Sequence, residues 1–374
     1  MESHGFAVNV QKMREIRSQA DRNATILASE LRSDFDKAGL NLSSPPQLVD
    51  AFKEAGVNLH DTSEQNLCAL DDPRAKKILA WRAETKLSAS IKTLLRAERS
   101  GRIHATFNPL GTVTGRFSSR RPNLQNVTRG ELRSCFVPSA PDRRLIVADY
   151  SQIELRVAAF IAGEQVMIDA FKRGEDLHRA MAGVNQGKDP MAVTKSERAM
   201  GKGTNFGFLY GQSAKGFSLY ARKDYGLILS VEEAEHFREN FFTRYPAIRR
   251  WHSECKRKAV TSGNNTARTV FGRLLMAQKD DPWARFNLFT EYVVSGSCAD
   301  LIKAAMLKLT SVIPAAIQLV ATVHDELVLD APADIAEQYC NMTKHTMEET
   351  FVEMFGHAVA VEVEAKVCSN WGDK

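Results

Sequence analysis

The pattern of apolar and polar positions divides the 374-residue chain into a helical first part and a mixed remainder. Residues 10–32 carry charges around apolar positions at helical spacing, the turn-forming stretch 40–46 interrupts them, and 47–55 resume the pattern. A further helix is predicted over 72–99, ended by Gly101, so a helical lobe covers about the first hundred residues. Residues 102–126 are mostly polar, with short β-like pieces at 103–107 and 112–118. The loop 121–126 that follows is rich in side chains that hydrogen-bond but cannot pack a core.

Beyond that loop the periodicity changes. Leu145, Ile146, Val147 and Ala148 read as a buried strand ending at Asp149, and Ser151 with Glu154 matches a capping box for a helix running to Gly163. A second capping box, Thr194 with Glu197, opens a helix carrying Arg198, Lys202, Phe206 and Tyr210 at successive i+4 positions. Those four side chains form one slanting stripe about 18 Å long. Gly201, Gly203, Gly207 and Gly211 each disfavour this helix by roughly 1 kcal/mol relative to alanine, which implies that something large approaches its backbone.

Near the end, 316–323 and 327–330 read as two antiparallel strands joined by the tight acidic turn His324-Asp325-Glu326. Apolar–polar alternation over 358–364 adds a strand, and helices over 300–310 and 335–355 are placed to cover one face of the sheet. The fold class is therefore α+β, with the acids on the open face.

Composition narrows the picture only in places. A net charge of +5 permits a polyanionic partner without requiring one. Arg116, Arg120, Arg121, Arg129 and Arg133 crowd one stretch and Arg249, Arg250, Lys256, Arg257 and Lys258 another, so a basic channel and a solvated basic surface are both open readings. Cys68, Cys135, Cys255, Cys298, Cys340 and Cys368 are scattered without a CxxC pair, which indicates neither a zinc site nor a disulfide framework and fits a reducing compartment. The start lacks the apolar core of a secretory leader, and no segment approaches the roughly 18 apolar residues of a membrane span. The expectation is a cytoplasmic protein with no membrane partner.

The chemistry rests on Asp149 and Asp325. Two divalent cations about 3.5–4 Å apart need acidic ligands from separate chain segments, held where the backbone is rigid. An aspartate after an apolar strand is common, and an acidic turn is unremarkable, so the joint pattern carries the argument. A capping role explains Glu154 by itself, His178 taken alone reads as a surface histidine, and Phe206 and Tyr210 taken alone read as core. Carboxylates for metal, cations for phosphate and aromatics for bases together describe a nucleotidyl-transfer site.

These residues also carry a resemblance. The run DYSQIELR from Asp149, the stripe from Arg198 to Gly211 and VHDELVL around Asp325, in that order, resemble the three polymerase motifs of the family A DNA polymerases. It extends to Thr114-Gly-Arg116, Pro122 to Asn126, Asp176-Leu-His178, Phe271-Gly-Arg273 and Asn370-Trp371. It implies a right-hand fold with an antiparallel palm sheet: a thumb-like lobe over 1–101, palm over 102–163 and 260–374, and fingers over 164–259.

It implies template-directed DNA synthesis on a primer–template duplex with dNTPs. Asp149, Asp325 and the Tyr150 carbonyl would hold two Mg2+ ions, and Lys202 would take part in catalysis. His178, Arg198, Lys202, Phe206, Tyr210, Gln152 and Glu154 would bind the nucleotide, with Glu154 crowding the sugar 2′ position. Arg116, Asn123, Gln125, Asn126, Arg273 and His324 would contact DNA. The chain departs from the family at Val294-Ser295-Gly296-Ser297, where glutamine is usual in the second place, and at Leu274-Leu275 after Arg273; both imply weaker minor-groove contacts.

With the thumb-like region beginning almost at Met1, no proofreading exonuclease is expected, and a separate exonuclease or replication factors would be partners of a monomer. A single-subunit RNA polymerase and a non-catalytic primer–template binding protein are the rival readings.

Overall fold

The computed structural model describes residues 1–225, 228–261 and 263–374; Gly226 and Leu227, within the segment expected to form fingers, and Ser262 lie outside the described residues. The chain forms two compact units. One comprises 10–96 with 213–236, the other 1–9, 97–212 and 237–374.

The first unit is helical. The helices Val10–Asp34, Pro45–Glu54 and Pro73–Ala97 follow the expected pattern, with Pro45 and Pro46 tolerated in the first turn, where their missing N–H groups have no helical acceptor, and the short helix Glu64–Cys68 is one the sequence pattern did not indicate. Leu31, Phe35, Leu40, Leu48, Phe52, Leu67 and Ile78 form its core, and Phe35 meets Phe52 edge to face with ring centroids 5.1 Å apart. Residues 213–236, read from sequence with the fingers, pack here: Arg222 on the helix Ala214–Tyr225 donates to the Ala69 carbonyl at 3.2 Å.

The second unit is built on a four-stranded antiparallel sheet in the order Val363–Cys368, Arg143–Tyr150, Glu326–Pro332, Gln318–Val323. The central strand buries Leu145, Ile146, Val147 and Ala148 completely, which accounts for its continuous apolar run. It does not end at the acid but continues through Asp149 to Tyr150, because pairing with both neighbours extends that far.

The last strand lies further along than the alternation at 358–364 indicates. Pairing from Val363↔Tyr150 to Cys368↔Leu145 selects the later half of a longer alternating stretch. Likewise Thr112–Gly115 is a turn closed by a 3.0 Å bond from Gly115 N–H to the Thr112 carbonyl, and the strand expected over 112–118 forms only from Ser118 to Arg120. The helix Ala336–Phe355 packs across the central and last strands, while Val293–Val312 packs on that helix and on Ile153–Ala162.

Candidate active site

The register of the sheet sets the site. Asp149 pairs with Glu326 on one side and Glu364 on the other, so all three carboxylates project from one face. His324 and Asp325 form the two-residue turn between the strands Gln318–Val323 and Glu326–Pro332, with His324 at φ 55°. The Asp325 carbonyl accepts the Tyr150 amide at 3.3 Å, which brings the second aspartate beside the first. Burial pushes the Asp325 carboxyl up to about 7, opposed by Arg116 and assisted by Glu154 and Asp149. Glu326 is not a turn residue as the sequence suggests. It is a buried strand residue that accepts from Trp371 Nε1 at 2.7 Å, and Arg133 lies over the Trp371 ring at 4.1 Å.

Opposite stands the helix Lys195–Leu209. Its capping box forms as expected: Thr194 accepts the Glu197 amide at 3.3 Å while the Glu197 carboxylate accepts the Thr194 amide at 2.8 Å. Arg198, Lys202 and Phe206 face a cavity of about 500 Å³ that Asp149, Tyr150, Gln152, Glu154, His178, Arg116, His324 and Asp325 also line. Tyr210 caps the helix behind them, its ring stacked 6.5 Å from Phe206, its phenol raised well above 10 by burial and then by the Glu154 charge. What approaches the glycine side of this helix is protein. A Cβ on Gly201 would lie 2.1 Å from the His178 carbonyl of the neighbouring helix Leu177–Gln186.

Three side chains depart from the sequence reading. Ser151 and Glu154 do not form a capping box: the helix starts from Gln152, left-handed at φ 52°, without a side-chain cap. The Glu154 carboxylate instead accepts from Arg116 and, at 2.9 Å, from the Ser295 hydroxyl. His178 is 3% exposed rather than on the surface. Its Nδ1 lies 3.1 Å from Asn205 Nδ2, and burial lowers it to about 4, so it is neutral. Asp176, capping the same helix, accepts Arg198 Nε at 2.6 Å and so orients that guanidinium.

The DNA-contact candidates divide. Arg116 and His324 line the cavity, whereas Asn123, Gln125, Asn126 and Arg273 do not. Asn123 accepts the Gln125 amide at 2.9 Å, and Gln125 Nε2 reaches the Thr322 carbonyl at 3.4 Å. Asn126 is exposed. Arg273 donates to Asp300 at 2.5 Å, Thr114 at 2.7 Å and Gly296 at 2.9 Å, tying the turn before Arg116 to the helix that carries Ser295. Sequence reasoning gave no role to Asp176, Glu326, Ser295 or Lys374. Only Asp176, a capping residue by type ahead of a helical pattern, carried a local signal.

The donor set suits a hard divalent cation. Asp149 and Asp325 supply carboxylates, and Tyr150 also lines the cavity, its hydroxyl committed to the Met347 carbonyl at 2.6 Å. The Lys374 ammonium, 2.7 Å from Asp149 Oδ2 and 3.2 Å from Glu326 Oε2, places positive charge where a cation is wanted. Among the described residues no three His, Cys, Asp or Glu side chains form a metal cluster.

The fold is the α+β fold of a polymerase domain: the structure matches the POL domain of Pol1 from M. smegmatis, solved in complex with DNA primer-template and dNTP, at a TM-score of 0.88. The identity is 28%, over 99% of this chain and 68% of that one. The profile of DNA polymerase family A matches residues 10–373, and the chain belongs to that family. It is 32% identical to DNA polymerase I of Aquifex aeolicus over 99% of its own length and 65% of the relative's. For DNA polymerase I of Thermus thermophilus the figures are 35%, 99% and 46%, and for that of Chloroflexus aurantiacus 35%, 100% and 42%. The chain thus spans two thirds or less of these relatives. No helix among the described residues is long and apolar enough to cross a membrane.

Proposed function

We propose that the chain is a DNA-directed DNA polymerase, extending a primer 3′-hydroxyl with deoxynucleotides along a template and releasing pyrophosphate. The observation that carries this reading is the juxtaposition of Asp149 and Asp325, facing Arg198 and Lys202 across one cavity.

Arg198, oriented by Asp176, and Lys202 bind the triphosphate as fixed positive charge, where charge builds on the leaving group. His178, neutral and buried between them and Phe206, donates a hydrogen bond rather than a charge. Burial and then the neighbouring Arg129 and Arg198 lower the Lys202 ammonium, which makes its Nζ proton easier to pass to departing pyrophosphate. Phe206 stacks on the incoming base, Tyr210 supports it, Glu154 faces the sugar and Gln152 lies beside it at the cavity wall. Asp149, Asp325 and the Tyr150 carbonyl would hold two Mg2+ ions, which when bound supply activation of the primer hydroxyl and neutralisation of the phosphates.

Arg116, Asn123, Gln125, Asn126 and His324 meet the primer–template, while Arg273 acts indirectly by fixing the turn at Thr114. In this reading 1–101 serve as thumb, 102–163 and 260–374 as palm and 164–259 as fingers.

Primer extension with purified protein, Mg2+ and either dNTPs or rNTPs tests the proposal. Templated dNTP addition supports it. Preference for rNTPs, or salt-sensitive duplex binding without any addition, overturns it.

A further inference from the structure

The Glu154 carboxylate is held from two directions, by partners that no local pattern supplies. Oε1 accepts both the Arg116 guanidinium, 38 residues away in the chain, and the Ser295 hydroxyl, 141 residues away, at 2.9 Å. Arg116 provides the charge, but its side chain is 29% exposed, and a single ionic contact leaves the carboxylate free to swing about its own terminal bonds. Ser295 removes that freedom. It is 3% exposed, in the helix Val293–Val312, and its neighbour Gly296 is anchored through its carbonyl by Arg273 at 2.9 Å. Tyr210 and Glu291 stand near enough for their pKa values to be raised by the Glu154 charge, and the hydrogen bonds from Arg116 and Ser295 converge on the same carboxylate oxygen.

We infer that Ser295 is a positioning residue for sugar selection: its hydroxyl fixes the Glu154 carboxylate in the attitude that excludes a ribose 2′-hydroxyl. This rests on Glu154 facing the sugar, as proposed above. Arg116 alone would leave a gate that yields. With Ser295 the gate is rigid, and a side chain where a longer glutamine is usual serves the nucleotide rather than the minor groove. Rigid support of a residue that contacts substrate acts on discrimination, because the unwanted substrate gains most when the support is lost.

The test compares kcat and KM for dCTP and rCTP opposite a template guanine, with Mg2+, in the unmodified chain and in Ser295→Ala, Ser295→Thr and Glu154→Ala. Ser295→Ala is expected to lower the dCTP over rCTP preference about tenfold, the worth of one hydrogen bond to a charged group, chiefly through a lower KM for rCTP. Ser295→Thr, which keeps the hydroxyl, restores most of the preference, and Glu154→Ala loses more than Ser295→Ala. If Ser295→Ala leaves the preference unchanged, or weakens both substrates equally, while Glu154→Ala abolishes it, the role of Ser295 is refuted and that of Glu154 stands. An unchanged preference in Glu154→Ala refutes the reading of Glu154 and the inference with it.

Discussion

Asp325 sits on a two-residue turn where its own carbonyl accepts the Tyr150 amide, so its backbone is tied to the central strand beside Asp149. Asp325→Asn keeps the shape and the turn but removes a cation ligand. Extension is expected to fall about a thousandfold, roughly 4 kcal/mol of transition-state stabilisation, with duplex binding retained in a gel-shift titration. Asp176 is subtler. Asparagine caps a helix as well as aspartate does, so Asp176→Asn retains the bonds to the His178 and Arg179 amides while removing the partner of Arg198. The KM for dNTP should rise about fivefold, more than kcat changes, in steady-state extension. At this scale the sequence placed Asp149, Asp325, Arg198, Lys202 and Phe206 together as candidates, because an apolar run before an acid, a tight turn and an i+4 stripe are local patterns. Ser295 and Glu326 were hidden because their roles are defined by partners far along the chain.

Two helices of the sheet-containing unit begin on one side chain. Glu164 is 1% exposed, and its carboxylate accepts the Val166 amide at 3.2 Å, the Ala247 amide at 2.7 Å and the Ile248 amide at 3.2 Å, thereby capping both Gln165–Lys172 and Pro246–Thr261. Glu164→Ala leaves those donors buried and unmatched, and urea unfolding should show a loss of about 3 kcal/mol.

His252, on the second of these helices, lies 2.8 Å through Nε2 from the Leu209 carbonyl at the end of the cationic helix. Burial lowers it to about 4 from the ordinary 6.5. Between those values the unfolded chain takes up a proton that the folded chain refuses. Its contribution is therefore complete above pH 6.5 and is lost as pH falls towards 4. His252→Gln keeps a donor for Leu209 and removes the titration, so Tm should fall less steeply with acid across that window. Elements with one local cause, such as the Thr194 capping box, were readable in advance. The helix after Asp149 was read to its end at Gly163 but not at its start, since long-range bonds claimed the glutamate that local geometry assigned to the cap.

For the molecule as a whole, phosphate contacts dominate any grip on a duplex, so affinity should drop by about a hundredfold between roughly 50 and 200 mM salt if four phosphates are neutralised. Fluorescence anisotropy with a labelled primer–template measures this, and a flat salt response would contradict the expected mode of DNA contact. The α+β class and the antiparallel pairing around Asp325 could be read from two apolar runs flanking a tight turn and from the helical stretches around them. The grouping of 213–236 with 10–96 could not, because helical periodicity shows that a face must be buried but not which neighbour buries it.

That grouping makes the backbone pass between the two units four times, after residues 9, 96, 212 and 236. Neither unit is encoded as one uninterrupted stretch of gene, so a single recombination breakpoint cannot graft either onto another protein by itself. A fragment made by cutting the chain once will always carry part of both or lack part of one.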